Sequence, residues 1–253
     1  MDVDIPLLER LAAQGWPAVE RATLGDWLLR ASAGFTSRGN SVLPVGDPGL
    51  PLPLAIGEVE RWYAARGLPA RFTVIDGLPE AEALAEALVG RGYLPHSPTV
   101  ALVAEPAWWP PDQAAEPPVT AEPAPSPAWL GAFAAYRPVV ADAALTVLTG
   151  SAQQWFLRTT EGKRITGIGR VSLDQGWAGV HAMWVDPQQR RQGLGTALLR
   201  SASRIARDAD AVGTYLLLEV DNRPACELYA SCGFTVHHGY HYLLAPSPGP
   251  HRP

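Results

Sequence analysis

The chain has 253 residues, 47% of them apolar and 18% charged, and a formal net charge of −5. Enough apolar surface is present for a sizeable core, which excludes general disorder, and the acidic balance argues against nonspecific nucleic-acid or membrane-surface binding as the main job. No apolar run is long enough to cross a bilayer, the start Met1-Asp2-Val3-Asp4 has no leader pattern, and Cys226 and Cys232, six apart in one helical segment, suit neither a disulfide nor a metal set, so a reducing cytoplasm is the expected setting.

Leu7, Leu8, Leu11 and Ala12 mark a short amphipathic helix over residues 5 to 14, closed by Gly15. Residues 26 to 35, with Trp27-Leu28-Leu29-Arg30, read as a strand, and a second strand is expected at 40 to 45. A proline-rich loop follows, Gly46-Asp47-Pro48-Gly49-Leu50-Pro51-Leu52-Pro53. Ala55, Val59, Trp62 and Tyr63 then set a helix that ends at Gly67. Residues 71 to 75 are a strand of branched and aromatic side chains. Residues 79 to 89 form an alanine-rich helix, closed by Gly90-Arg91-Gly92-Tyr93, and 99 to 104 are a further strand. Residues 105 to 127 hold eight prolines, which suits a semi-rigid linker. Trp108-Trp109 within it are expected to pack the linker onto a domain face.

The second half opens with helices over 128 to 136 and 141 to 149. Strands at 153 to 160, 164 to 174 and 177 to 185 are joined by the turn signals Glu161-Gly162-Lys163 and Gln175-Gly176. The third strand stops at Asp186-Pro187 and leads into Arg190-x-x-Gly193-x-Gly195. Glycines there let the backbone turn and aim several N–H groups one way. Ala197, Leu198, Ala202, Ile205 and Ala206 then fall at helical spacing, so a helix N-terminus adds its own amides, and the loop is suited to hold phosphate. Five arginines lie between 190 and 207 beside this loop. Arg200, Arg204 and Arg207 share a helix face that either approaches phosphates or, as the plainer reading, is solvated. A strand at 214 to 220, a helix from Pro224 that Gly233 ends, and a strand at 236 to 244 complete the order. The proline-rich residues 246 to 253 are expected to be disordered.

The two halves can be laid side by side: strand, loop, helix, strand, helix, Gly-aromatic, strand. The chemistry differs. Pro51 and Pro53 delete amides from the first-half loop, and Leu88 and Ala81 stand where the second half has Tyr229 and Asn222. The expected fold is α/β with mixed sheets: a first domain over 1–105 without a cofactor site, a linker over 106–127, and a second domain over 118–245.

Two motifs then identify a family. Val185-x-Pro187 followed by Arg190-Arg191-Gln192-Gly193-Leu194-Gly195, and Asn222-x-x-Ala225-x-x-Leu228-Tyr229-x-x-x-Gly233-Phe234, resemble those of the GNAT superfamily of acetyl-CoA-dependent N-acetyltransferases. The resemblance covers residues 118 to 245, and the first half is similar to a degenerate copy, as in tandem GNAT proteins. It implies that acetyl-CoA lies where two parallel strands splay. Its pantetheine arm would pair with Met183, Trp184 and Val185, and its pyrophosphate would sit on the amides of Arg191, Gln192, Gly193, Leu194, Gly195 and Thr196 beside Arg190. The partner implied is an amine acceptor, a small molecule or a protein amine, which attacks the thioester directly in a ternary complex.

Tyr229 matches the family's tyrosine and would donate to the departing thiolate. The plainer alternative is that Ala225, Leu228, Tyr229 and Cys232 form a core stripe. Asn222 orients the cofactor or caps its helix. His181, four residues before Val185 on the same strand face, is a candidate base, or else a satisfied structural histidine. His237, His238 and His241 lack the spacing of a metal set. The acceptor loops are expected from 136 to 150 and from 235 to 242. A CoA-binding regulatory or scaffold protein without turnover is the other reading of the whole.

Overall fold

A computed structural model describes residues 3–105, 117–137 and 141–246. In chain order the elements are α1 (Ile5–Gly15), β1 (Glu20–Leu24), β2 (Trp27–Ala31), α2 (Leu52–Ala64), β3 (Arg71–Ile75), α3 (Ala81–Val89), β4 (Leu94–Ala104), β5 (Thr120–Glu122), α4 (Pro127–Tyr136), α5 (Ala141–Thr149), β6 (Gln153–Glu161), β7 (Arg164–Asp174), β8 (Trp177–Val185), α6 (Leu194–Asp208), β9 (Gly213–Glu219), α7 (Arg223–Ser231) and β10 (Thr235–Leu244). None of the described helices is long and apolar enough to cross a membrane.

The chain divides into two compact units that do not follow the expected boundary near residue 105. One, the glycine-loop unit, comprises Met1–Pro17, Ala101–Val139 and Leu148–His237; the other, the proline-loop unit, comprises Ala18–Val100, Val140–Val147 and His238–Pro253. α1 therefore belongs with the second half of the sequence. Leu8 and Leu11 bury against Trp177 and Tyr215 there, and the Tyr215 hydroxyl donates to the Leu11 carbonyl at 2.8 Å. These contacts join residues some 200 positions apart, beyond the reach of any local pattern.

In the glycine-loop unit the strand order is β4, β9, β8, β7, β6, β5. β5 to β8 pair antiparallel, and β8 pairs parallel to β9. The β7–β8 hairpin turns at Gln175 and Gly176, both at positive φ, as a tight two-residue turn requires. Ser126 caps α4 by accepting from the Trp129 N–H at 3.2 Å, and the Trp129 indole donates to the Leu157 carbonyl at 2.9 Å, which fastens α4 to the sheet. β5 was expected to be linker. It forms because Glu122 grips Arg158 of β6 with both carboxylate oxygens, at 2.6 and 3.1 Å. Trp108 and Trp109 and the tail beyond Pro246 lie outside the described residues.

In the proline-loop unit β1 and β2 form an antiparallel hairpin, and β3 pairs antiparallel with β10 from Tyr240 to Leu244. The strand expected over 26 to 35 ends at Ala31. The Asn40 side chain accepts from the Ser32 and Gly34 N–H groups, both at 2.9 Å, and donates to the Phe35 carbonyl at 2.8 Å, so the chain turns instead. The strand expected over 40 to 45 shrinks to single bridges, antiparallel from Leu43 to Leu28 and parallel from Val42 to Phe72. Phe72, Ile56, Val59, Tyr63 and Leu88 fill the core between β3 and the two helices. The order strand, loop, helix, parallel strand, helix is present in both units, as residues 42–43, α2, β3 and α3 in one and as β8, α6, β9 and α7 in the other.

Candidate active site

The β8–β9 ladder begins at Trp177↔Gly213 and stops at Val180↔Leu216, although β8 runs on to Val185 and β9 to Glu219. The two parallel strands part there. A bulge helps to part them: the β7–β8 register shifts between Ile168 and Arg170, and Ala182 takes φ 53°. Gly169 sits opposite the bulge, where an added Cβ would lie 2.8 Å from the Met183 sulfur. From His181 to Val185, a stretch that includes Met183, Trp184 and Val185, the β9-facing edge of β8 carries no ladder to β9.

Asp186 closes the strand. Its N–H donates to the Thr166 carbonyl at 2.8 Å, its carboxylate accepts from the Gln188 N–H at 2.9 Å, and it pairs with Arg164. Arg190 reaches back with Nε to the Val185 carbonyl at 3.3 Å. Arg191 and Gly193 then adopt left-handed backbone, φ 65° and 80°. Gly193 is the N-cap of α6 and has no side chain to offer, so no side-chain cap covers the first-turn amides of Leu194, Gly195 and Thr196. Residues 190 to 193 are exposed and Leu194 is buried. An exposed loop with uncapped helix amides has the chemistry to receive an anion. An added Cβ on Gly195 would lie 2.9 Å from a Leu228 methyl, so this glycine lets α6 and α7 approach.

α7 starts at Asn222, whose side-chain oxygen accepts from the Ala225 N–H at 3.4 Å. Capping is thus one job Asn222 performs. Tyr229 is buried, with its ring edge-on to Phe234 at 5.8 Å. Burial above all, with Tyr136 and the thiols of Cys232 and Cys226 adding to it, pushes the Tyr229 phenol far above its ordinary range. Among the described residues no group hydrogen-bonds its hydroxyl. Sequence reasoning passed over Tyr136, at the end of α4. Its ring stacks on Trp184 with centroids 5.7 Å apart and planes 9° apart, and burial raises its phenol to about 12. Tyr136 thus stands against Trp184 of β8 and close enough to Tyr229 to act on its phenol. The aromatic run Trp129, Phe133, Tyr136 was the available signal.

His181 is buried. Its Nε2 shares a 3.0 Å hydrogen bond with the Ser172 hydroxyl, and its ring lies against Trp16 and Tyr215 at 5.7 and 5.9 Å. Space for these polar atoms comes from missing side chains. A Cβ on Gly15 would lie 2.7 Å from the Ser172 oxygen and 2.8 Å from the His181 nitrogen. Beside them Arg170, with no solvent exposure, donates to the Gly15 carbonyl at 2.6 Å and to Ser151 and Gln154 at 2.8 Å each. This setting fits the structural alternative for His181.

Two expectations need correction. Arg200 is not on a solvated face: it is 8% exposed, close enough to Cys232 to act on its thiol, while Arg207 is exposed. Residues 235 to 242 are strand β10 rather than an acceptor loop. His237 bonds the Val3 carbonyl at 2.8 Å, and among the described residues no group of histidine, cysteine and carboxylate side chains could hold a metal.

Parallel strands that separate just ahead of a helix with uncapped first amides define the class, a GNAT-type N-acetyltransferase on a mixed α/β sheet. Residues 3–243 match the family model described as "Probable histone acetyltransferase Rv0428c C-terminal", and the chain belongs to that family. It is 28% identical over 252 residues to "Uncharacterized N-acetyltransferase YobR" of Bacillus subtilis strain 168, covering 95% of this chain and 98% of that one. Among solved structures, a GCN5-related N-acetyltransferase from Kribbella flavida aligns with TM-score 0.68 at 18% identity, over 96% of this chain and 97% of that one. A tandem GNAT protein from the clavulanic acid biosynthesis pathway aligns with TM-score 0.63 at 15% identity, over 95% and 88%. At such identities the two structures share the fold.

Proposed function

We propose that this acetyltransferase moves the acetyl group of acetyl-CoA to a primary amine, on a small molecule or a protein, by direct attack in a ternary complex. The observation that carries the proposal is the parting of β8 from β9 directly ahead of the uncapped amides of α6. The residues fit the cosubstrate. The edge of Met183, Trp184 and Val185 would pair with the pantetheine arm. The amides from Arg191 to Thr196 would take the pyrophosphate, with Arg190 beside them. Asn222 would sit at the same end, fixed by its capping bond.

Acetyl-CoA supplies a thioester: the N–C bond forms at its carbonyl carbon as the C–S bond breaks. The protein's part is to position groups and stabilise charge. Tyr229, held neutral by burial, offers an O–H to the sulfur as negative charge grows there. Its acidity is too low for full proton release, so its contribution is a hydrogen bond in a water-poor site. Backbone N–H groups near Trp184 and Val185 serve the carbonyl oxygen. The amine must arrive neutral, and a typical primary amine has a pKa near ~10. Activity therefore rises with pH towards the acceptor's own pKa. His181 holds the end of the paired part of β8; the proton the attacking nitrogen loses passes to solvent water as CoA departs as the thiolate.

The test combines calorimetric titration of acetyl-CoA with assay of CoA release across a panel of amines. Saturable binding with turnover on at least one amine is expected. Binding with no turnover on any amine would make the chain a CoA-binding regulatory or scaffold protein. No binding would remove the cosubstrate site itself.

A further inference from the structure

The proline-loop unit has its own cavity of about 350 Å³. Its place in the topology matters. The parallel bridge from Val42 to Phe72 ends with the Thr73 N–H donating to the Val42 carbonyl at 3.0 Å, and beyond it the chain parts, Pro44 to one side and Ile75 to the other. The cavity lies between them, walled by Trp27, Pro44, Leu50, Ile75, Leu78 and Ala83. By element order this is the position the parted β8 and β9 hold in the other unit.

The phosphate-holding chemistry is gone from this loop. Pro44, Pro48, Pro51 and Pro53 have no N–H. The Asp47 N–H donates to the Asp26 carboxylate at 3.0 Å, and the Gly49 N–H to that of Asp47 at 2.8 Å. The Leu54 and Ala55 amides at the start of α2 both go to the Pro51 carbonyl, at 2.9 and 3.0 Å. The loop's own Asp47 carboxylate, with that of Asp26 from the β1–β2 turn, now takes these amides, and the one ionisable residue lining the cavity is Glu80. No basic side chain lines the cavity and the Glu80 carboxylate stands at its wall, so an anion finds no favourable charge there.

We propose that this cavity is a second binding site, for a small apolar molecule that carries no phosphate or carboxylate. Its size sets the scale. A dry apolar cavity of about 150 Å³ holds benzene, so this one has room for roughly a dozen heavy atoms. The Trp27 indole, fixed by its hydrogen bond to the Gly46 carbonyl at 3.1 Å, gives the ligand a rigid aromatic wall. The site is separate from acetyl transfer, so neither proposal depends on the other.

The experiment is fluorine NMR of the full chain labelled with 5-fluorotryptophan, the Trp27 signal being assigned with Trp27→Phe. Titration with 2-naphthylmethanol or 2-naphthylmethylamine should shift that signal saturably, with a dissociation constant of about 10 μM to 1 mM for a ligand this small. 2-Naphthoate should bind at least tenfold more weakly, and CoA at 1 mM should leave the Trp27 signal in place. Ala83→Trp, on an exposed position of α3, should fill the cavity and weaken the alcohol at least tenfold. Leu50→Lys at the mouth should do so without filling it. An unmoved Trp27 signal, equal binding of the naphthoate, a shift caused by CoA, or unchanged binding in both folded variants would each overturn the proposal.

Discussion

Tyr229 and His181 are both buried, yet their surroundings assign them different work. No protein group bonds the Tyr229 hydroxyl among the described residues, and burial keeps it protonated. Tyr229→Phe should therefore lower kcat about 10²- to 10³-fold, the scale of losing one donor to developing charge. The KM for acetyl-CoA and the melting temperature should barely change; a kcat within threefold of wild type would leave Tyr229 as core filling. The His181 nitrogen is already bonded to Ser172 beneath Trp16. His181→Gln should destabilise by about 1–3 kcal/mol, since Ser172 loses a buried partner. It should leave kcat within tenfold and the shape of the pH–rate profile unchanged. Loss of the profile's acidic limb would instead make His181 the base. Residue type and spacing placed both side chains near the fork; what separates their roles is whether the polar atom is already occupied.

At the scale of elements, the two loop glycines do different jobs, and paired substitutions separate them. Gly193 is left-handed with open space around its Cβ position, whereas Gly195 is helical with a Leu228 methyl in the way. Gly193→Ala should cost about 1–2 kcal/mol of backbone strain. Relief of that strain rotates the α6 amides, so acetyl-CoA affinity should fall about tenfold. Gly195→Ala should instead push α7 from α6 and displace Tyr229, lowering kcat more than affinity. Calorimetry on each variant alongside initial rates distinguishes the outcomes, and identical profiles would contradict the assignment. This loop, its helix and the β6–β8 hairpins were legible because their determinants are local: turn glycines, a strand stopped at Asp186-Pro187, and apolar spacing in α6. The fork was expected only through the family resemblance, and the Tyr136–Trp184 stack and the burial of Arg200 were not legible at all. Each depends on which surface α4, α6 and α7 present to the sheet, and no short window of sequence holds that.

Across the whole molecule, burial of phenols sets an alkaline limit. Tyr63, Tyr93, Tyr136 and Tyr229 all have folded values above the ordinary 10.0 of tyrosine, chiefly through burial. A raised folded pKa gives stability that is complete below pH 10 and lost as pH climbs through the folded value, about 12 for Tyr136. The urea midpoint should stay flat to about pH 9.5 and then fall. Tyr136→Phe should remove part of that fall, about 3 kcal/mol at its limit for two pKa units. A midpoint unchanged to pH 11.5 would contradict it. In the glycine-loop unit a separate buried group, Arg170, binds Gly15 across 155 positions of sequence. The arginine is fully enclosed, and burial lowers its pKa to about 10. Its fork reaches the end of α1 on one side and Ser151 and Gln154 on the other. Arg170→Met leaves the Gly15 carbonyl and two side-chain oxygens without that donor, a loss of about 3 kcal/mol or more. For a domain of this size that is roughly 6–12 °C of melting temperature. Arg170→Lys should recover little, because an ammonium has no planar fork. Since the lost donor ends α1, the segment before residue 17 should become the first site of proteolytic cleavage while α6 and its loop stay protected. A melting temperature within about 2 °C of wild type, a loss of about 0.5–1 kcal/mol, would show that α1 holds by its leucines alone.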